Sequence, residues 1–214
     1  YSAYLWQWQP NEISVFSLWQ AISVICIALL APMIAYGRSK KKIAVGIFLT
    51  TIFIGPLPII LRLLEPVVGM ALMPVNGSDA LWWILLLHSC FAVTLGSLGF
   101  IFIGSMAMEI VEDVEKTTGR REEGLLGTVN AFIHKLVGAG GVLIAGLIVS
   151  WAGFDDPNAT QEMLNGEIVN RFAFVHVVLG LCLPIFSTLL VLMFDIDRKV
   201  HLENIDDLGY VQKD

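Results

Sequence analysis

Lys135 is the residue most in need of a reason. It stands in an apolar run, flanked by Ile133, Leu136 and Val137. An ammonium group in hydrocarbon is costly, and ionisable groups so placed mark substrate paths, ion paths or proton relays. Roughly two turns into such a run, a lysine has another option: its stem can lie along lipid and lift the charge to the interface. Both readings stand on the local sequence. His134, His88 and His176 also lie in apolar runs; each is either a ligand-facing imidazole or a neutral, hydrogen-bonded packing residue. Arg62 lies near the end of its run, where snorkelling accounts for it. Gln20, Trp19 and Phe100 offer a polar contact and aromatic surfaces to a ligand, with ordinary packing as the alternative for each.

A second group is acidic. Glu109 precedes Glu112, Asp113, Glu115 and Lys116, with Glu112 and Lys116 at the favourable i,i+4 spacing. The cluster can neutralise the basic stretch Arg38, Lys40, Lys41 and Lys42, or it is a solvated helix end. None of this is the chemistry of bond making. The sequence has no HExxH, GxSxG or P-loop and no hydrolase-type carboxylate pair. Cys26, Cys90 and Cys182 are isolated in apolar runs, with no CxxC. No catalytic residue, metal ligand or cofactor is therefore assigned, and the chain is not read as an enzyme.

The elements that must hold these residues follow from composition. Of 214 residues, 56% are hydrophobic and only 15% charged, and the mean hydropathy is +0.74. Soluble domains carry roughly 25% charge, so a soluble enzyme, a disordered chain and a nucleic-acid binder are excluded. The net charge of −6 also disfavours a polyanion partner. An integral membrane protein remains. A span needs roughly 20 apolar residues, and five such runs exist: 13–35, 43–64, 81–110, 128–152 and 172–194. Each must be helical, because lipid offers a bare backbone no partner. The fold class is all-α integral membrane.

Lys and Arg set the orientation. Arg38 and Lys40 to Lys42 lie between runs one and two; Lys116, Arg120 and Arg121 lie between three and four; Arg198, Lys199 and Lys213 follow run five. Residues 1–12 and the link between two and three carry neither type, and the link between four and five has only Arg171 at its end. The basic links are expected on the cytoplasmic side of a plasma membrane (the inner membrane if the cell is bacterial). The segment's N-terminus is then outside, with a cytoplasmic tail over 195–214. Residues 1–12 are expected to be an outer segment and the end of a preceding helix absent from the chain. The triplets Asn76-Gly-Ser and Asn158-Ala-Thr fall on the outer face. Pro32, Pro56, Pro58 and Pro184 mark irregular helix of the kind transporters use. Small residues in run three (Gly96, Ser97, Gly99, Gly104, Ser105) and run four (Gly138, Gly140, Gly141, Ala145, Gly146) permit close helix approach.

Residues 104–124, GSMAMEIVEDVEKTTGRREEG, are followed by Phe132, Lys135 and a glycine-rich stretch to Gly153-Phe154. This ungapped block of about 50 residues resembles the glycoside–pentoside–hexuronide:cation symporters, the melibiose-permease-like branch of the major facilitator superfamily. The tail from His201 to Leu208 is more loosely similar. The resemblance implies a major-facilitator-type helical bundle, with the five runs as transmembrane helices eight to twelve and residues 1–8 as the end of helix seven. It implies the C-terminal half of a secondary active transporter that moves a sugar or glycoside with Na⁺ or H⁺ by alternating access. Its partners would be a small-molecule substrate, that cation, the N-terminal half and the bilayer. Lys135 would match the helix-eleven lysine near the sugar and cation sites, and Phe100 the helix-ten aromatic. Gln20 and Trp19 are added as candidate substrate contacts. Glu109 and Glu112, glutamates where the family has aspartates, would join Arg120, Arg121 and Arg38 in a gating charge network between the halves. Two other readings remain: a transporter of lipid or another small molecule on the same fold, and a non-transporting membrane scaffold or sensor.

Overall fold

The computed structural model describes residues 5–155, 166–195 and 198–209. Among them every regular element is helical: α1 (Pro10–Ala35), α2 (Lys40–Ile54), α3 (Leu57–Val68), α4 (Asp79–Thr118), α5 (Glu123–Ala152), α6 (Glu167–Leu192) and α7 (Arg198–Asp207). α1, the α2–α3 pair, α4, α5 and α6 make five passages long and apolar enough to cross a membrane, with mean hydropathies of 2.0 to 2.4 over their most apolar windows.

Local chemistry sets the breaks. α1 opens with Pro10 at its first position, where a missing N–H costs nothing, and the backbone N–H of Gln9 donates to Glu12 Oε2 at 2.8 Å. Residues 5–9 contain no helix, and Gln7 has φ +59. The helix end expected at residues 1–8 therefore has no helical residue in its described part. That segment instead folds onto the bundle, burying Leu5, Trp6 and Trp8. The second apolar run is two helices, not one, parted at Gly55 and Pro56. Pro58, in the first turn of α3, has no N–H for the carbonyl of Ile54 four residues earlier. α4 is capped by Ser78, whose Oγ accepts from Leu81 N at 3.3 Å, and it ends on Gly119 in the left-handed conformation. At 40 residues it spans about 60 Å, twice a ~30 Å hydrocarbon core, so it must project beyond the bilayer.

Two apolar clusters sit at opposite ends of the bundle. One joins the 5–8 segment, the start of α1, α3 and the starts of α4 and α6 through Trp8, Phe16, Ile59, Leu81 and Ala173. The other joins the end of α1, the start of α2, the middle of α4 and the end of α6 through Ala31, Ala44, Phe102 and Val191. α1, α4 and α6 therefore run one way, with α2–α3 antiparallel to them. The links after α1 and α4 share one end. α5 stands apart, touching mainly α6 and α4 only lightly. Within its most apolar window no residue is buried.

The glycines divide accordingly. A Cβ at Gly99 would lie 3.3 Å from Phe48 Cε1, so close approach there is real. At Gly104, Gly138, Gly140, Gly141 and Gly146 nothing lies within 4 Å. Among the described residues no helix uses the close approach that the glycines of run four permit. Asn158 and Lys213 lie outside the described residues.

Candidate functional site

The residues singled out by type fall into three places. The first is a cleft of about 300 Å³ between α1, α3, α4 and α6, at the end where α1 and α4 begin. Gln20 lines it with Ser17 and Phe16 from the same face of α1. Trp8, His88, Ser89 and His176 contribute from the other elements. His88 is fixed by the helix break. Its Nε2 lies 2.7 Å from the Ile54 carbonyl that Pro58 leaves without its helical donor. A carbonyl only accepts, so Nε2 carries a proton and donates it to Ile54. Trp19, one residue from Gln20 and about 100° around the helix, is 47% exposed and does not line the cleft.

The second place is the outward face of α4 and α5. Phe100 is 68% exposed, with its ring centroid 6.0 Å from that of His134 at 60°. Lys135 is exposed and makes no hydrogen bond or ion pair with a described residue. It lies about 4 Å along the axis from the midpoint of α5. Snorkelling from there has nearly half the helix to cover. His88 and Phe100 are separated by about 18 Å along α4, so Gln20 and Lys135 do not share the cleft. Of the four candidate substrate contacts, Gln20 lines the cleft, Phe100 lies against His134, Lys135 is exposed on α5, and Trp19 is outside the cleft.

The third place is the charge cluster at the opposite end. Glu109 is buried and pairs with Lys40 Nζ at 2.7 Å. Glu112 accepts from His201 Nδ1 at 2.7 Å. Lys116 donates to Asp207 at 2.6 Å and to Asn204 Oδ1 at 3.1 Å, while the buried Asn204 donates to Asp113 at 3.1 Å. Lys41 Nζ caps the end of α6, donating to the carbonyls of Leu192 and Phe194. Arg121 reaches Glu123 at 3.1 Å and Glu115 at 3.9 Å. Arg38 and Arg120 are exposed, and among the described residues their side chains join no ion pair. Within this chain Lys40 and His201 are the partners of Glu109 and Glu112, while Arg121 reaches Glu115 and Glu123. Lys40 on the first turn of α2 and the His201 imidazole on α7 are the donors that packing brings nearest. The i,i+3 spacing of His201, Asn204 and Asp207 was the available signal for α7, since it puts all three on one helical face.

Arg62 is also more than a snorkelling side chain. It donates to Glu65, to the Pro74 carbonyl at 2.9 Å and to Asn76 Oδ1 at 2.6 Å, and it lies 5.2 Å from the Trp6 ring centroid. Asn76 Nδ2 in turn donates to the Leu5 carbonyl at 3.1 Å. The amide that a glycan would need at this triplet is already holding the 5–8 segment. Among the described residues no cluster of metal-binding side chains occurs.

A family model described as MFS/sugar transport protein matches residues 1–198. No curated protein and no solved structure matches the chain.

Proposed function

Because the chain belongs to the MFS/sugar transport protein family, and so is a multi-pass membrane protein of the major facilitator superfamily, we propose that it is the C-terminal half of a cation-coupled sugar or glycoside symporter. The observation that carries this reading is Lys135. It sits near the middle of an apolar helix, outward-facing and unpaired among the described residues. A charge at that depth has to face a water-filled cavity or a partner, not lipid. A second half seated against α5, enclosing a midplane cavity between the halves, supplies both. The open glycine face of α5 gives that half a surface of close approach. The melibiose-permease-like motif of residues 104–124 supports the narrower family and the Na⁺ or H⁺ coupling.

In this reading Lys135 and Phe100 line the C-terminal side of the substrate cavity. The charge cluster lies at the cytoplasmic end of a plasma-membrane protein whose segment begins outside and ends inside. Glu109, Glu112, Arg121 and the exposed Arg38 and Arg120 belong to the gate, the last two meeting the other half.

The test is uptake by the full-length protein in proteoliposomes, driven by an inward Na⁺ or H⁺ gradient. A neutral labelled glycoside should accumulate. A hydrogen bond to a charged group is worth about 1.5–3 kcal/mol, so Lys135→Ala should cut uptake on the order of 10- to 100-fold. Undiminished uptake in that variant, or accumulation of a lysolipid in place of the glycoside, sinks the proposal.

A further inference from the structure

The cleft beneath the 5–8 segment is not needed by Lys135, yet it is built like a site. It lies wholly within this bundle, about 18 Å along α4 from Phe100. At about 300 Å³ it is at the small end of ligand pockets, which run roughly 300–1,000 Å³. That suits one sugar ring and excludes a phospholipid. Its walls combine two kinds of surface. Trp8 and Phe16, with centroids 4.5 Å apart, give a rigid aromatic platform whose negative faces attract the C–H side of a pyranose. Beside it are polar groups: the hydroxyl of Ser17, the imidazole of His88 and the amide of Gln20.

Gln20 is the telling residue. It stands on an apolar helix about 15 Å from its start, yet its side-chain amide makes no hydrogen bond with a described residue. The half-buried amide offers a donor and an acceptor to the cleft, and a ligand carrying both hydroxyl donors and acceptors would satisfy it. Among the described residues, no Asp, Glu, Lys or Arg lines the cleft. A carboxylate or phosphate there would lose its hydration without meeting an opposite fixed charge. We infer that the cleft is a binding site for one neutral, hydroxyl-rich ring, a hexopyranoside and not a uronate, separate from the face that carries Lys135.

The ligand class rests on the sugar-transport reading; the place does not. The test uses the full-length protein in detergent. Binding of methyl hexopyranosides of the gluco, galacto and manno series is followed by quenching of tryptophan fluorescence, with glucuronate as the charged comparison. At least one neutral glycoside should quench saturably and glucuronate should not. Gln20→Ala should weaken that binding by about tenfold, the loss of one or two neutral hydrogen bonds. Replacing Trp6 and Trp8, the two tryptophans that line the cleft, by Phe should keep the binding and lose most of the quenching, which a site elsewhere would not do. An unchanged melting temperature for Gln20→Ala separates lost binding from lost folding. No saturable quenching, equal quenching by glucuronate, or an affinity indifferent to Gln20→Ala overturns the inference. Glycoside uptake in proteoliposomes, measured beside it, keeps the two ideas apart. Uptake with Gln20-indifferent binding refutes the cleft and leaves transport. Gln20-sensitive binding without uptake refutes transport and leaves the cleft.

Discussion

Glu109 and Lys40 face each other across 2.7 Å, but their surroundings differ: the Glu109 side chain is 7% exposed and that of Lys40 26%. The asymmetry decides what each substitution costs. Removing the glutamate leaves a lysine that can turn to water and rehydrate. Removing the lysine strands a carboxylate that cannot. Breaking a fully buried pair costs about 3–5 kcal/mol. Lys40→Met should approach the lower part of that range, and Glu109→Gln should cost on the order of 1 kcal/mol, a neutral side chain now needing only a hydrogen bond. The double substitution should be milder than Lys40→Met alone, because it removes the stranded charge. Thermal unfolding of the four proteins in one detergent gives the order directly. A Glu109→Gln variant less stable than Lys40→Met contradicts the burial argument. The acidic side of this pair was readable, since Glu109 falls at the end of an apolar run, on the side of the basic links. Which of Arg38, Lys40, Lys41 and Lys42 it would meet was not. Arg38 precedes α2, and Lys40, Lys41 and Lys42, consecutive on its first turn, point about 100° apart from one to the next.

The α2–α3 break shows the same boundary at the next scale. Two prolines in one apolar run announced irregular helix, and the structure parts at Gly55 and Pro56. The sequence could not show who satisfies the released backbone, because His88 is 34 residues away and reaches Ile54 only through packing. The consequence is a coupling that can be measured. In the native protein His88→Ala should cost about 1–2 kcal/mol, leaving the Ile54 carbonyl in apolar surroundings without its partner. In a Pro58→Ala background the new N–H lies in reach of that carbonyl, so the same His88→Ala should cost less. A double-mutant cycle on unfolding should give an interaction term of about 0.5–1 kcal/mol. Simple additivity would mean that proline and histidine do not share the carbonyl. The 5–8 segment is a harder case. Its aromatic run reads as an interfacial belt, yet Trp6 and Trp8 are buried. The Arg62 and Asn76 contacts that hold the segment come from residues more than 50 positions on, which no local pattern could join to it.

At the scale of the whole molecule the arrangement is lopsided. α1, α2–α3, α4 and α6 pack around two apolar clusters, while α5 keeps nearly its full circumference exposed, with Phe132, Leu136, Val137 and Leu143 each at least 61% so. Lipid can cover those apolar groups without cost, so their exposure alone demands nothing. Lys135 and the bare glycines do. A lysine near mid-helix facing hydrocarbon costs about 2.5–3.5 kcal/mol even on the mildest scales, and a row of glycines gives up dispersion contacts unless another helix is pressed against it. Both defects vanish if a second bundle closes on α5 and leaves a wet cavity at the level of Lys135. On the proposed reading the five passages supply one wall of that cavity, and one wall has no means of exposing a substrate to each side in turn. Residues 1–214 alone, reconstituted in liposomes under a Na⁺ or H⁺ gradient, should therefore show no saturable glycoside uptake. The same segment co-expressed with the N-terminal half should regain it. Uptake by the segment alone would mean that it closes its own cavity, by pairing with a second copy or otherwise, and that the exposed α5 face has a different use.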